Sequence, residues 1–117
     1  MPLVDIRLSE AITRDTAQAV RDIARGLVAT HLDCDDPGGE LSPEDVEARV
    51  SWRGDLDVSA YDLEIMVFAN YYPARDENLD VRVQHIRDEL ENTFGLAHTD
   101  FFVWVFLGHA EFADHRK

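Results

Sequence analysis

The chain has 117 residues, 45% hydrophobic and 30% charged, which is enough to build a buried core in one domain. Its 24 acidic residues outnumber its 11 basic residues and leave a net charge of −13. This charge argues against nucleic acid and anionic membranes as partners, because both are bound by clustered Lys and Arg. No apolar run reaches the roughly 18 residues of a membrane span. The single cysteine, Cys34, cannot form an internal disulfide and predicts a cytoplasmic location.

The first half of the chain predicts a strand, a helix and a second strand. Residues 2–8 alternate between apolar and polar side chains, which is typical of a strand. We expect Thr13 to cap a helix that runs to about His31, because apolar residues then recur at helical spacing. A loop rich in Asp, Gly and Pro follows, and residues 46–52 form the second strand.

The second half repeats this order. Residues 61–72 predict a third strand, and apolar residues at helical spacing then predict a second helix that ends at Gly95. Residues 101–107 predict the fourth strand. The chain is therefore interpreted as one domain, residues 1–117, built from a pseudo-repeat of residues 1–58 and 59–117.

Two β-α-β units predict an α+β protein, a two-layer sandwich with a four-stranded mixed sheet and two helices on one face. In the fourth strand, Phe102, Trp104 and Phe106 would point away from the helices. An apolar sheet face left in water would cost much free energy, so we expect a second copy of the chain to cover it. The alternative is a monomer whose aromatic side chains pack around the sheet edge.

The opening sequence MPLVDIRL places a proline directly after methionine. A proline at the first position of a strand loses no hydrogen bond of the sheet, so Pro2 has a purely structural interpretation. If Met1 is removed, however, Pro2 carries a free secondary amine on a rigid ring. Such an amine in an apolar pocket can act as a general base near neutral pH.

The Met-Pro start, the tandem β-α-β units and the apolar sheet face together resemble the tautomerase superfamily. The segment MPLVDIRL is similar to the start of its malonate semialdehyde decarboxylases, and ARVSW is similar to a segment of its 5-carboxymethyl-2-hydroxymuconate isomerases. Residues Ala74-Arg75-Asp76-Glu77 resemble the arginine-bearing segment of the decarboxylases and dehalogenases. The superfamily also includes macrophage migration inhibitory factor.

This resemblance implies a homotrimer that uses its amino-terminal proline as the acid and base, without a metal or an organic cofactor. The implied substrate is a small anionic 2-oxo or enol carboxylic acid, which the enzyme would tautomerise. Relatives that hydrate, dehalogenate or decarboxylate 3-oxo or haloacrylic acids provide an alternative. A catalytically inactive binding protein on the same scaffold is another, and it would follow if Met1 is retained.

Four further residues are candidates for the active site by this resemblance. Arg75 and Arg49 would bind the substrate carboxylate, although a solvated arginine at a helix start is the other interpretation of Arg75. Asp45 would activate or orient, or would be a turn residue at the start of a strand. Glu47 could assist as a second acid or base, but it stands where the muconate isomerases have an arginine, and it would repel a carboxylate.

Aromatic side chains are the candidates for the pocket wall. We expect Trp104, Phe106 and Tyr72 to serve there. Core packing is the other interpretation of Trp104 and Phe106, and an interface contact is the other interpretation of Tyr72.

Overall fold

The computed structural model describes residues 2–94, 96–109 and 113–115. The strands are β1 (Leu3–Leu8), β2 (Glu47–Trp52), β3 (Leu63–Asn70) and β4 (Phe101–Gly108). The helices are α1 (Arg14–Leu32), the short α2 (Pro73–Asp76) and α3 (Leu79–Phe94), and single 3-10 turns lie at Pro43–Asp45 and Leu96–His98. No described helix has the length and apolarity needed to cross a lipid bilayer.

Every predicted strand and helix is present, and the strand ends differ from the prediction by two residues or fewer. Helix α2 was not expected as a separate element. The predictions about Met1 and about a helix end at Gly95 fall outside the described residues.

The four strands form one mixed sheet in the order β2-β1-β3-β4. Strands β1 and β2 run parallel, as do β3 and β4, while β1 and β3 join the two halves antiparallel. Parallel neighbours need a crossover connection, which α1 provides in the first half and α3 in the second. The predicted tandem β-α-β architecture is therefore confirmed.

Helix α1 begins where the sequence predicts. The Thr13 hydroxyl oxygen accepts a hydrogen bond from the Thr16 N–H at 3.2 Å, and Asp15 places a negative charge in the first turn. The apolar stripe of α1 packs on the sheet together with buried residues of α3. Fully buried residues of this layer include Val20, Val28 and Leu90.

The opposite face of the sheet carries no helix, and we call it the open face. Its side chains follow the strand pairing in three rows. These rows comprise Glu47, Leu3, Phe68 and Phe106; Arg49, Asp5, Met66 and Trp104; and Ser51, Arg7, Glu64 and Phe102. The open face is thus charged on the β2 and β1 side and largely aromatic on the β4 side. Trp104 is 56% exposed there.

Candidate active site

Pro2 is buried immediately before β1, an inner strand of the sheet. Its carbonyl oxygen accepts a hydrogen bond from the Glu47 N–H at 3.0 Å, which fixes the start of β2 beside it. Because Leu3 pairs with Phe68 in the antiparallel neighbour, Pro2 lies at the end of the sheet where β3 finishes. The chain start and the ends of β3 and β4 therefore meet at one edge.

A cavity of about 260 Å³ opens at this edge. Its wall includes Leu3, Phe68 and Phe106 together with the polar residues Asn70 and His109. The Phe68 and Phe106 rings stack with centroids 5.3 Å apart, which gives the cavity a flat aromatic side. This cavity is the candidate active site, since it lies next to the residue that follows Pro2 in the chain.

Asp45 lies in the 3-10 turn that precedes β2, two residues before Glu47, whose N–H binds the Pro2 carbonyl. Its carboxylate accepts hydrogen bonds from the Ser42 N–H at 2.8 Å and from the Ser42 hydroxyl at 3.1 Å. These two bonds, the backbone one first, lower the pKa of Asp45 below its ordinary value. The geometry is that of a turn-capping residue, which was one of the two interpretations of Asp45.

Glu47 and Arg49 both lie on the open face, along β2. Glu47 pairs with Leu3 and so stands in the row nearest Pro2, and Arg49 stands one row further along, beside Asp5. Both side chains are exposed. The structure thus brings Pro2, Asp45 and Glu47 to one end of the sheet, with Arg49 next to them.

Arg75 has a placement that differs from the prediction. It is 2% exposed, and its guanidinium donates to three main-chain carbonyls: Leu32 at 2.7 Å, Asn70 at 2.8 Å and Gly39 at 3.0 Å. Burial is the main cause that lowers its pKa. Because Arg75 is buried, its interpretation as a solvated helix-start residue is wrong. Arg75 is not one of the residues that line the cavity, and direct carboxylate binding needs its carbonyl bonds to break.

The three predicted pocket residues separate in the structure. Phe106 lines the cavity, and the Trp104 ring contacts the Phe106 ring with centroids 4.7 Å apart. Trp104 itself lies exposed on the open face, so the alternative of core packing is wrong for it. The Tyr72 ring lies 5.0 Å from the guanidinium of Arg75, and Tyr72 is not one of the residues that line the cavity.

Sequence reasoning missed Asn70 and His109, the polar residues of the cavity. Asn70 is the last residue of β3, and His109 directly follows β4, with its ring 5.8 Å from that of Tyr71. A usable signal existed, because β3 and β4 are parallel neighbours whose ends must meet at one edge. Among the described residues, no three His, Cys, Asp or Glu side chains group closely enough to hold a metal ion.

Comparison with known proteins finds this architecture among solved structures but finds no relative in sequence. No family model matches the chain, and no curated protein matches it in sequence. Among solved structures, it is similar to malonate semialdehyde decarboxylase, with a TM-score of 0.70 at 16% identity over 97% of this chain and 91% of the other. A fused 4-OT symmetric trimer gives 0.60 at 14% identity, covering 90% and 84%. A macrophage migration inhibitory factor-like protein from Entamoeba histolytica gives 0.58 at 16% identity, covering 97% and 96%.

These matches establish the fold. Over nearly its whole length the chain has the fold of these three structures, so the predicted resemblance to the tautomerase superfamily is confirmed at the level of the fold. The identities are too low to carry an activity from any one of these proteins to this chain.

Proposed function

We propose that this protein is a cofactor-independent tautomerase that acts on a small 2-oxo or enol carboxylic acid. The proposed general base is the nitrogen of Pro2 after removal of Met1. The observation that carries the proposal is the burial of Pro2 at the start of an inner strand, beside an apolar cavity. The similarity in fold to malonate semialdehyde decarboxylase adds support, since that protein is an enzyme.

The chemistry needs one group that takes up a proton and returns it. A free α-amino group titrates at about 7.7–8.0 in model peptides, and burial lowers the pKa of an amine further because it disfavours the charged form. The neutral nitrogen of Pro2 would remove the hydroxyl proton of an enol, and the resulting cation would deliver a proton to the neighbouring carbon. The product is the keto form, and the base returns to its neutral state.

The other candidate residues have supporting roles in this proposal. Arg49, exposed on the open face one row beyond Glu47, would bind the substrate carboxylate. Arg75 would be a positioning residue, since it holds the carbonyl of Asn70 behind the cavity wall. Asp45 would act mainly through the turn that it caps, and Glu47 would direct the carboxylate toward the arginine by repulsion.

The substitution Pro2→Ala tests the base. It replaces a rigid secondary amine with a flexible primary amine, and we expect kcat/KM for phenylenolpyruvate to fall by about 100-fold or more, as for loss of a positioned base. Pro37→Ala, at an exposed loop proline, is the matched control and should keep the full rate. Intact-mass measurement on untagged protein must show that Met1 is absent. A wild-type rate in Pro2→Ala would refute the proposal.

Decarboxylation or hydration of a 3-oxo acid is the second candidate activity. The similarity to malonate semialdehyde decarboxylase, an enzyme described with decarboxylase and hydratase activities, favours it. The same preparation assayed with malonate semialdehyde and with 2-hydroxymuconate separates the two activities. Turnover of neither, together with a retained Met1, would favour a binding protein without catalysis.

A further inference from the structure

A second cavity lies between α1 and the edge strand β2, on the helix side of the sheet. Its volume is about 240 Å³, and it is lined by Arg14, Gln18 and Arg21 from the helix, with Val50 and Trp52 from the strand. Trp52 pairs with Leu8, at the opposite end of β1 from Pro2. This cavity is therefore distinct from the candidate active site in both the face and the end of the sheet that it occupies.

The helix wall of this cavity presents two cations in a chain of net charge −13. Arg14, Gln18 and Arg21 follow at intervals of four and three residues, so they form one stripe along α1. Within the part of the chain that the structure describes, Arg14 makes no ion pair and no side-chain hydrogen bond. Arg21 uses its Nε to bind Asp22 at 2.9 Å, which leaves both of its terminal nitrogens free to donate to a ligand.

The strand wall is apolar and exposed. Val50 is 39% exposed and Trp52 is 49% exposed, although both side chains point to the side of the sheet that carries the helices. An indole offers a flat face on which an aromatic or conjugated group can stack. Cations on one wall and an aromatic plane on the other suit a ligand with one charged end and one flat apolar end.

We propose that this cavity binds a small carboxylic acid whose carboxylate is attached to a planar, unsaturated or aromatic group. The carboxylate would lie between Arg14 and Arg21, since guanidinium groups bind carboxylates through paired donors. The planar group would lie against Trp52, and Gln18 would donate to an oxygen of the ligand. The volume is below the roughly 300 Å³ of the smallest typical drug-sized pockets, which limits the ligand to about the size of benzoate.

The two tryptophans of the chain, Trp52 and Trp104, make the proposal directly measurable. Each gives one indole N–H signal in a ¹H–¹⁵N correlation spectrum, and Trp52→Phe assigns them. We expect benzoate to shift the Trp52 signal in a saturable way and to leave the Trp104 signal in place. Benzamide, which has the same shape without the charge, and acetate, which lacks the ring, should each bind at least about tenfold more weakly.

Substitution of Arg14 gives a second test of the proposal. Arg14→Gln removes one charged donor and should weaken benzoate binding by about tenfold or more. Arg87→Gln on α3 is the matched control, because it changes the net charge equally at an exposed arginine already paired with Asp88 and Glu91. Equal benzoate affinity in the two variants, or a shift confined to Trp104, would overturn the proposal.

A carboxylate could also come from an acidic side chain of a second copy instead of a free acid. Sedimentation of wild type and Arg14→Gln at equal concentration separates the two sources. A free-ligand site predicts identical assembly in both proteins. Dissociation of Arg14→Gln would overturn the proposal and assign the cavity to a contact between copies. Pro2→Ala should bind benzoate at this cavity as wild type does, so this test stands apart from the proposed catalysis.

Discussion

Arg75 shows at the level of one residue how this fold holds its functional edge. Its three donors bind carbonyls from the end of α1, from the following loop and from the end of β3. The last turn of a helix leaves carbonyls without partners inside the helix, and Arg75 satisfies one of them at Leu32. Arg82 adds two more bonds of this kind, to His31 and Asp33, each at 2.8 Å.

Loss of the three hydrogen bonds from Arg75 to main-chain carbonyls should destabilise the protein. Arg75→Met keeps most of the side-chain volume but leaves buried carbonyls without donors, so we expect the free energy of unfolding to fall by about 3 kcal/mol. Urea unfolding followed by circular dichroism measures this, at one fixed protein concentration because assembly adds to stability.

The control for this measurement is Arg87→Met, at an exposed and ion-paired arginine of α3. Its unfolding free energy should change by less than about 1 kcal/mol. An equally small effect in Arg75→Met would show that the three carbonyl bonds are replaced by water.

The role of Arg75 could not be predicted from the sequence, although its position could. Its acceptors come from residues 32, 39 and 70, and only the folded chain brings these carbonyls together. Arginine is also rarely buried, so the sequence offered only a carboxylate-binding residue or a solvated side chain as interpretations. The position of Pro2 directly before β1, in contrast, was predictable, because the start of a strand depends only on local pattern.

At the level of elements, local signals predicted most of the architecture. Alternation in β1, the Thr13 cap of α1 and the apolar stripe of α3 each act within one element, and each is found as expected. The short helix α2 was not predicted, because its four residues are too few for a helical period. The cavity residues Asn70 and His109 were missed for a related reason, since they line one site only because β3 and β4 pair in parallel.

The 3-10 turn at Pro43–Asp45 places the start of β2 beside Pro2. The Asp45 carboxylate makes the stability of this turn sensitive to acid. The lowered pKa of Asp45 means that the folded state prefers the charged carboxylate. The stabilisation that charged Asp45 contributes is therefore fully present above the ordinary Asp pKa of about 3.9. It is lost as the pH falls through the lowered pKa of Asp45 in the folded protein.

The substitution Ser42→Ala tests this turn. It removes the hydroxyl donor but keeps the Ser42 N–H, which is the larger cause of the shift, so the pKa of Asp45 should rise only part of the way to its ordinary value. An NMR titration of the Asp45 carboxyl carbon measures the change. Ser59→Ala removes a hydroxyl that binds the Tyr61 N–H elsewhere, and it should leave the curve unchanged. Coincident curves for Ser42→Ala and wild type would contradict the assignment.

At the level of the whole molecule, the open face points to assembly. Phe68 and Trp104 are 41% and 56% exposed within an aromatic cluster, beside charged rows on the same face. Large exposed apolar patches are typical of interfaces. We therefore expect further copies of the chain to cover the open face, and the homotrimer implied by the sequence resemblance stays a prediction.

An acidic residue in the aromatic cluster should separate the copies. Trp104→Glu would bury a charge without a partner in the assembled state, so we expect a monomer by sedimentation velocity and a native circular dichroism spectrum. Val81→Glu is the matched control, since Val81 is 48% exposed on α3, outside the open face, and should assemble like wild type. A wild-type sedimentation coefficient in Trp104→Glu would place the interface elsewhere.

The antiparallel pairing of β1 with β3 relates the two halves of the chain by an approximate twofold rotation. The two halves nevertheless differ in whether they can provide a free proline nitrogen. Under that rotation, the position before β1 corresponds to the position before β3, so Asp62 is the counterpart of Pro2. A polypeptide has one amino terminus, and β3 starts inside the chain, where the Ser9 hydroxyl donates to the Asp62 carboxylate at 2.7 Å. The duplicated framework therefore offers two equivalent locations, but each chain can supply at most one proline nitrogen of the kind proposed as the base.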